Sequence, residues 1–542
     1  VRLSTHDDAS ALIRAASELY LDDLAAMDVL ADLDRRLREP LRLALAGMVK
    51  AGKSTLLNAM LGEQLAPTDA GECTRVVTWY RYSATPTVTM HPHDGPPRRM
   101  PIRRDDGRLV LDLGEVAAED VAWIDVGWPV TGLRSMILID TPGIASLSRD
   151  VSARTADFLI PDTEPSSADA IVYLMRHMHA SDLKFLESFR DTAAGASQTV
   201  NAVAVLSRAD EIGSGRIDSL LSAGKVARRY ERDGDLSSLS LGVVPVAGLL
   251  AESARTLRED EFASFRELAG LDRAARERLM VSADRFIRPS ELTTLSIDVR
   301  RALLGRFGIF GVRLASALIR GGATDSTQLS EALVQQSGLN ELQQFIRDQF
   351  RTRAGALKVR GVLDALEALL RERPRPGTED VRGGIERIYA TAHTLRELSL
   401  LSRARAAGLP LSAADAKDAE RIIGGDGTSA HARLGLDDTA TADELHERLQ
   451  DRLIHWRTLS QSPLAERATV EAARVVIRSL DEVASELAAP VGAGATDVMP
   501  AGGPLEGAAE GAEQESDESE TPLGEEDLAH QRTVVAHRDD LQ

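Results

Sequence analysis

At 542 residues, 43% of them hydrophobic, the chain exceeds what a single core can organise, and two or three domains are expected. A formal net charge of −20 argues against nucleic acid as a partner of the whole surface. One cysteine, Cys73, leaves no internal disulfide; there is no signal-peptide pattern and no run of 18 uncharged apolar residues, so a cytoplasmic protein is expected, able to lie on a membrane but not to span it.

In chain order, residues 8–38 carry a helical apolar stripe that includes Leu12, Ile13, Ala16, Tyr20, Leu24, Leu30 and Leu37, and predict one long amphipathic helix. Strand-like runs follow at 41–46, 75–82, 121–130, 135–140, 169–175, 201–207 and 242–247. Helical stretches such as 181–190 and 217–232 lie between several of them. This alternation predicts an α/β domain with a mixed, mostly parallel sheet and helices on both faces. From about 252 the strand signals stop. Helical patterns run at 258–285, 291–320, 326–371, 380–403, 413–424, 441–459 and 464–487, broken at Gly321-Gly322, Pro374–Gly377, Gly408–Pro410 and Gly424–Gly427. Several reach about 30 residues, or roughly 45 Å, which predicts an elongated all-α bundle or stalk. Residues 489–542 are acidic and poor in large apolar side chains, and are expected to be a disordered tail. The expected divisions are therefore an N-terminal helix at 1–38 packing with the bundle, an α/β domain at 39–285, the bundle at 286–488 and the tail.

Residues 47–54, Gly-Met-Val-Lys-Ala-Gly-Lys-Ser, fit the phosphate-loop pattern between a strand and a helix. Gly47 and Gly52 let the backbone wrap a phosphate, with the N–H groups around Lys50, Ala51, Gly52, Lys53, Ser54 and Thr55 turned inward at a helix N-terminus. Lys53 would reach the β- and γ-phosphates, and Ser54 would hold Mg²⁺. Lysine is placed with care here, because only six of the 64 basic residues are lysines and two of them, Lys50 and Lys53, lie in this loop.

Three later segments bear on the nucleotide. Asp140-Thr141-Pro142-Gly143 ends an apolar strand; Asp140 would hold Mg²⁺ through water and the Gly143 N–H would sense the γ-phosphate. Ser207-Arg208-Ala209-Asp210 follows a second strand and is a variant of the guanine-recognition element, although the same four residues also suit a helix cap. Asp210 would accept from guanine N1 and N2, a pair adenine cannot offer, and Arg208 would lie on the base face. The N–H of Ala247 or Gly248 would meet guanine O6. Between loop and strand, Thr74 is the chosen switch threonine for the Mg²⁺ shell, with Thr68 as the alternative. Order and spacing fit a GTPase; an ATP-driven helical regulator is the reading if Asp210 does not touch a base.

A helix before the GTPase domain and a long helical region after it resemble the dynamin superfamily. Segments such as Ala46–Leu56, Ala66–Ala70, Ser207–Gly213 and Arg421–Gly425 are similar to the bacterial dynamin-like proteins, in particular the shorter, C-type member of the isoniazid-inducible mycobacterial pair. The resemblance covers about residues 10–487. It implies modest GTP hydrolysis, self-assembly or pairing with a paralogous GTPase, and association with, remodelling or fusion of membranes at the inner face of the plasma membrane. It also implies that GTPase domains pair across the nucleotide.

Ile144 follows D-T-P-G where Ras-type enzymes carry a water-orienting glutamine. Catalysis must come from elsewhere, or the protein is a GTP-dependent scaffold with negligible hydrolysis. In dynamins a phosphate-loop serine helps hold a monovalent cation; Lys50 occupies the matching position, so its ammonium either replaces that cation or points to solvent. For membrane contact, Arg403 and Arg405 would meet anionic head groups while Leu409 and Leu411 insert, unless this is an ordinary helix–helix turn.

Overall fold

The computed structural model describes residues 4–67, 75–105, 107–143, 167–192, 200–213, 215–232, 236–406 and 408–488. Thr68, Thr74, Ile144 and the acidic tail lie outside these residues.

The N-terminal stripe forms two helices, α1 (Thr5–Leu19) and α2 (Leu24–Arg38), where a single helix was expected. Asp23 breaks it: its carboxylate caps α2 by accepting from the Ala26 N–H at 3.1 Å. The α/β region then runs β1 (Leu41–Gly47), α3 (Lys53–Leu61), β2 (Thr78–Tyr82), β3 (Thr87–Pro92), β4 (Arg98–Arg99), β5 (Arg103–Asp105), β6 (Arg108–Val110), β7 (Val121–Trp128), β8 (Met136–Asp140), β9 (Ala170–Met175), α4 (Ala180–Thr192), β10 (Ala202–Ser207), α5 (Ser219–Arg232) and β11 (Val243–Val246).

The main sheet has the order β11-β10-β9-β1-β8-β2-β7-β3-β4. Strands β11 to β8 are mutually parallel, β2 is antiparallel to β8, and β3 is antiparallel to β7. Period-2 alternation divides each central strand between two cores. Leu41, Leu43 and Leu45 of β1 face the larger one, while Ala44 and Ala46 face the smaller one, which Phe185, Leu186 and Phe189 of α4 help to fill. Burial on both faces explains why these strands read as nearly continuous apolar runs.

The remainder is helical: α6 (Gly248–Arg255), α7 (Glu259–Gly270), α8 (Arg273–Leu279), α9 (Ala283–Phe286), α10 (Ile297–Arg320), α11 (Ser326–Gln335), α12 (Leu339–Phe345), a π-helical turn at Ile346–Arg351, α13 (Ala354–Glu372), α14 (Thr378–Thr391), α15 (His393–Ala406), α16 (Ala413–Ile422), α17 (Ala430–Leu434), α18 (Ala442–Gln461) and α19 (Arg467–Ala488). Among the described residues no helix reaches the expected 30. The longest, α10, has 24 residues and is broken at Gly308. The 326–371 pattern is divided at Gly338, whose φ is 80° and whose added Cβ would lie 2.1 Å from the Pro245 carbonyl oxygen. Helices α1 and α2 share a third core with α13 and α14 that includes Ile13, Leu30, Leu33, Val362, Leu366 and Ile385.

Candidate functional site

The carboxyl ends of the parallel strands bring the predicted segments together, as open α/β sheets do at the point where strand order reverses. Gly47 ends β1 with φ 145°, and an added Cβ would lie 2.3 Å from the Leu174 carbonyl oxygen of β9, so only glycine lets the two strands meet there. Gly52 (φ 96°) precedes α3 without a side-chain cap, leaving the first N–H groups of the helix for an anion.

Lys53 is buried, and its ammonium donates to the carbonyls of Gly47 (3.2 Å) and Met48 (3.4 Å) at the floor of the loop. Burial pulls its pKa below the usual lysine value, and the nearby Asp140 carboxylate opposes that. Asp140 ends β8 beside Leu45 and accepts from the Ser54 hydroxyl at 2.7 Å through Oδ2. Its Oδ1 is buried with no hydrogen-bond partner, and burial raises the carboxyl against the pull of Lys53 and Ser54. An unpartnered carboxylate oxygen beside a hydroxyl, at the foot of a phosphate loop, fits a hard divalent cation.

The D-T-P-G turn is locked onto this floor. The Thr141 hydroxyl donates to the Leu45 carbonyl at 2.7 Å, and a Cβ on Gly143 would lie 2.8 Å from Val49 Cα, so glycine is required for the turn to touch the phosphate loop.

A cavity of about 170 Å³ joins this loop to the Ser207–Asp210 segment; its wall includes Ala51, Gly52, Thr55, Ser207, Arg208, Asp210 and Gly248. Ser207 is buried and donates to the Met175 carbonyl at 3.2 Å, a bond that ties β10 to β9. Arg208 stands in the left-handed region (φ 52°). Its guanidinium donates to Glu211 at 2.8 Å and to the Lys50 carbonyl at 3.4 Å, bridging the Ser207–Asp210 segment and the phosphate loop. Burial raises the Asp210 carboxyl above the ordinary value. Lys50 is exposed, with φ 62°.

Two expectations are corrected. The Ala247 N–H already donates to the Ser337 carbonyl at 2.8 Å, which leaves Gly248, the first residue of α6, as the remaining one of the two expected donors. Arg405 turns inward: Nε donates to Glu420 at 2.7 Å, and Nη1 donates to the carbonyls of Ser240 (3.1 Å) and Leu241 (2.8 Å). It ties α15 to the chain entering β11 and is unavailable to head groups. Arg403 is exposed, while Leu409 and Leu411 are half-buried against the main core.

Sequence reasoning missed Leu249 and Glu211 in the cavity wall, and Asn58 behind it. Asn58 of α3 accepts from the N–H groups of Leu65 (3.0 Å) and Ala66 (2.7 Å) and donates to Glu252 at 3.2 Å, pinning the chain that leads to Thr68. A lone asparagine in an apolar helix was its only signal.

The dynamin-family sequence profile matches residues 43–193. Isoniazid-induced protein IniC of Mycobacterium tuberculosis is 40% identical over 493 residues, covering 90% of this chain and 100% of that protein. A bacterial dynamin-like protein of Nostoc punctiforme is 32% identical over 162 residues, 27% of this chain and 22% of its own. Among solved structures, an oligomerised bacterial dynamin pair, presented as a mechanism for long-range sensing and tethering of membranes, covers 90% of this chain and 76% of its own at 11% identity, with a TM-score of 0.33.

Proposed function

The chain belongs to the bacterial dynamin-like family of the isoniazid-induced proteins, and from that premise we propose that it hydrolyses GTP with Mg²⁺ and couples turnover to self-assembly and membrane contact at the inner face of the plasma membrane. The observation that carries the reading is the single cavity joining the phosphate loop to Ser207–Asp210. Guanine N1–H and N2–H₂ would donate to Asp210; burial works against the charged carboxyl, and two base donors would restore it. Adenine would leave the carboxylate unpaired, which disfavours ATP.

Ser54, with Asp140 through water and Thr74 completing the shell, would hold Mg²⁺, which neutralises charge on the phosphates. Lys53 binds the β- and γ-phosphates from the loop floor. The Gly143 N–H, held against Val49, would meet the γ-phosphate. Lys50 supplies the further positive charge that dynamins take from a monovalent cation. Ile144 offers no group to orient water. That residue is what favours the second reading, a GTP-dependent scaffold with negligible hydrolysis.

Support for membrane contact comes from one surface of the helical region. The α15–α16 and α18–α19 turns meet there, with the Thr469 hydroxyl donating to the Pro410 carbonyl at 2.7 Å. Leu464 is 94% exposed beside the half-buried Leu409 and Leu411, and Arg403 is exposed on α15. This pairing of exposed leucine and arginine suits anionic lipid.

The test is phosphate release from GTP and ATP, with and without anionic liposomes, by wild type and Lys53→Ala. GTP-selective turnover, raised by liposomes and reduced at least about 100-fold in the variant, is expected. GTP binding without turnover would establish the scaffold, and turnover of ATP would remove Asp210 from base recognition.

A further inference from the structure

Helix α10 is broken at Gly308, where φ is 63° and ψ is 172°, a conformation that essentially only glycine adopts. The two walls of the base cavity are attached to this helix on opposite sides of the break.

Before the break, Arg306 grips the C-terminal end of α6. Its Nη2 donates to the carbonyls of Ser253 (3.3 Å) and Thr256 (2.9 Å), and the Ser253 hydroxyl donates back to the Arg306 carbonyl at 2.5 Å. The other end of α6, at Gly248 and Leu249, is cavity wall. After the break, Arg313 Nη1 donates to the Gly215 carbonyl at 2.5 Å, and an added Cβ on Gly215 would lie 3.1 Å from Ile309 Cγ2. Gly215 follows Asp210 in the base loop. At the break itself, an added Cβ on Gly308 would lie 3.9 Å from Asp210 Oδ2. A straight helix cannot keep both sets of contacts, because straightening residue 308 swings Ile309 and Arg313 relative to Arg306.

We propose that the Gly308 bend is a positioning element for base selection: it sets where the Asp210 carboxylate stands opposite the α6 N-terminus, and so the fit of a guanine ring between them. This rests on the reading of Asp210 as the guanine acceptor.

Gly308→Ala isolates the backbone effect, because the nearest atom to the new methyl group is at ordinary van der Waals distance. Gly305→Ala is the control; it lies in the same helix and nothing stands within 4 Å of its Cβ position. Affinities for GDP and ADP and the melting temperature are measured for wild type and both variants. Gly308→Ala should lose roughly tenfold or more in GDP affinity with ADP binding unchanged, and Gly305→Ala should match wild type. A folded Gly308→Ala protein with the wild-type GDP-to-ADP ratio would overturn the proposal, as would equal loss of both nucleotides. Should Gly308→Ala not fold, Arg313→Met removes the tie to Gly215 and must narrow the same ratio; an unchanged ratio there overturns the proposal too. Asp210→Asn is run alongside. If it keeps the guanine preference, the reading of Asp210 itself fails; if it loses the preference while Gly308→Ala keeps it, only the positioning role fails.

Discussion

Lys50 and Arg208 are the two non-glycine residues with positive φ among the described residues, and the Arg208 guanidinium donates to the Lys50 carbonyl. Left-handed backbone costs a non-glycine residue about 1 kcal/mol. Two such residues, joined by a hydrogen bond beside one cavity, mark where the fold accepts local strain. At Lys50 the consequence is testable. If its ammonium supplies the charge that a monovalent cation supplies in dynamins, wild-type GTP turnover is the same in sodium and potassium buffers. Lys50→Ala then loses on the order of 10- to 100-fold in kcat, and potassium restores part of it. A potassium requirement in the wild type, measured as phosphate release against cation identity, would remove Lys50 from this role. The phosphate loop was legible because each residue has a local job: Gly47 and Gly52 for backbone geometry, Lys53 and Ser54 for charge and oxygen. Gly308 was not, because its role depends on a loop and a helix that lie far before it in the chain.

Helix type and most breaks were readable from periodicity and from Gly and Pro, but lengths were overestimated. Capping by Asp23, the left-handed turn at Gly338 and the π-helical turn at Ile346–Arg351 divide stretches whose apolar spacing continues through them. Apolar periodicity survives such breaks because both pieces still bury a face against the same core. Within the α13–α14 pair, the Tyr389 hydroxyl donates to Asp364 Oδ1 at 2.5 Å, while Oδ2 is buried without a partner. Burial pushes the Asp364 carboxyl up to about 6 against the pull of Tyr389 and Arg360, with Glu367 adding to the rise. Its folded value exceeds the unfolded one, so its contribution to stability is full below the unfolded value and is lost as pH rises through about 6. Asp364→Asn should therefore melt near wild type at about pH 4 and above it at about pH 7.5, by at most about 3 kcal/mol. Melting temperatures of the two proteins across that range would show whether the gap opens with rising pH; a constant gap would mean the carboxyl does not titrate there.

At the scale of the molecule, the sheet meets the flanking helices through a buried ionic junction. Asp169, just before β9, accepts from Arg36 of α2 at 2.8 and 3.0 Å and from the Arg42 N–H at 2.9 Å, and Lys358 of α13 stands 3.5 Å away. Burial alone would raise this carboxyl, but Arg36, Lys358 and the Arg42 N–H together hold it below the ordinary value. It therefore stabilises the fold at neutral pH, and that contribution is lost as pH falls through the depressed value. Asp169→Asn leaves two buried cations short of a counter-charge and should cost about 3–5 kcal/mol at neutral pH, read as a lower melting temperature and as earlier proteolysis between β9 and the helices. A variant as stable as wild type would mean the cations find other partners.

The sequence by itself determined the α/β-then-helical order, the phosphate loop, the D-T-P-G turn and the family, because those rest on short-range spacing and on glycine, lysine and carboxylate chemistry at fixed offsets. Only the tertiary structure decided that Ala247 is already bonded to Ser337, that Arg405 faces inward toward β11, and that Asp169 binds Arg36 and Lys358. A hydrogen bond or ion pair between residues far apart in the chain leaves no periodic trace, so side chains that look available in a sequence become committed only when the chain has folded around them.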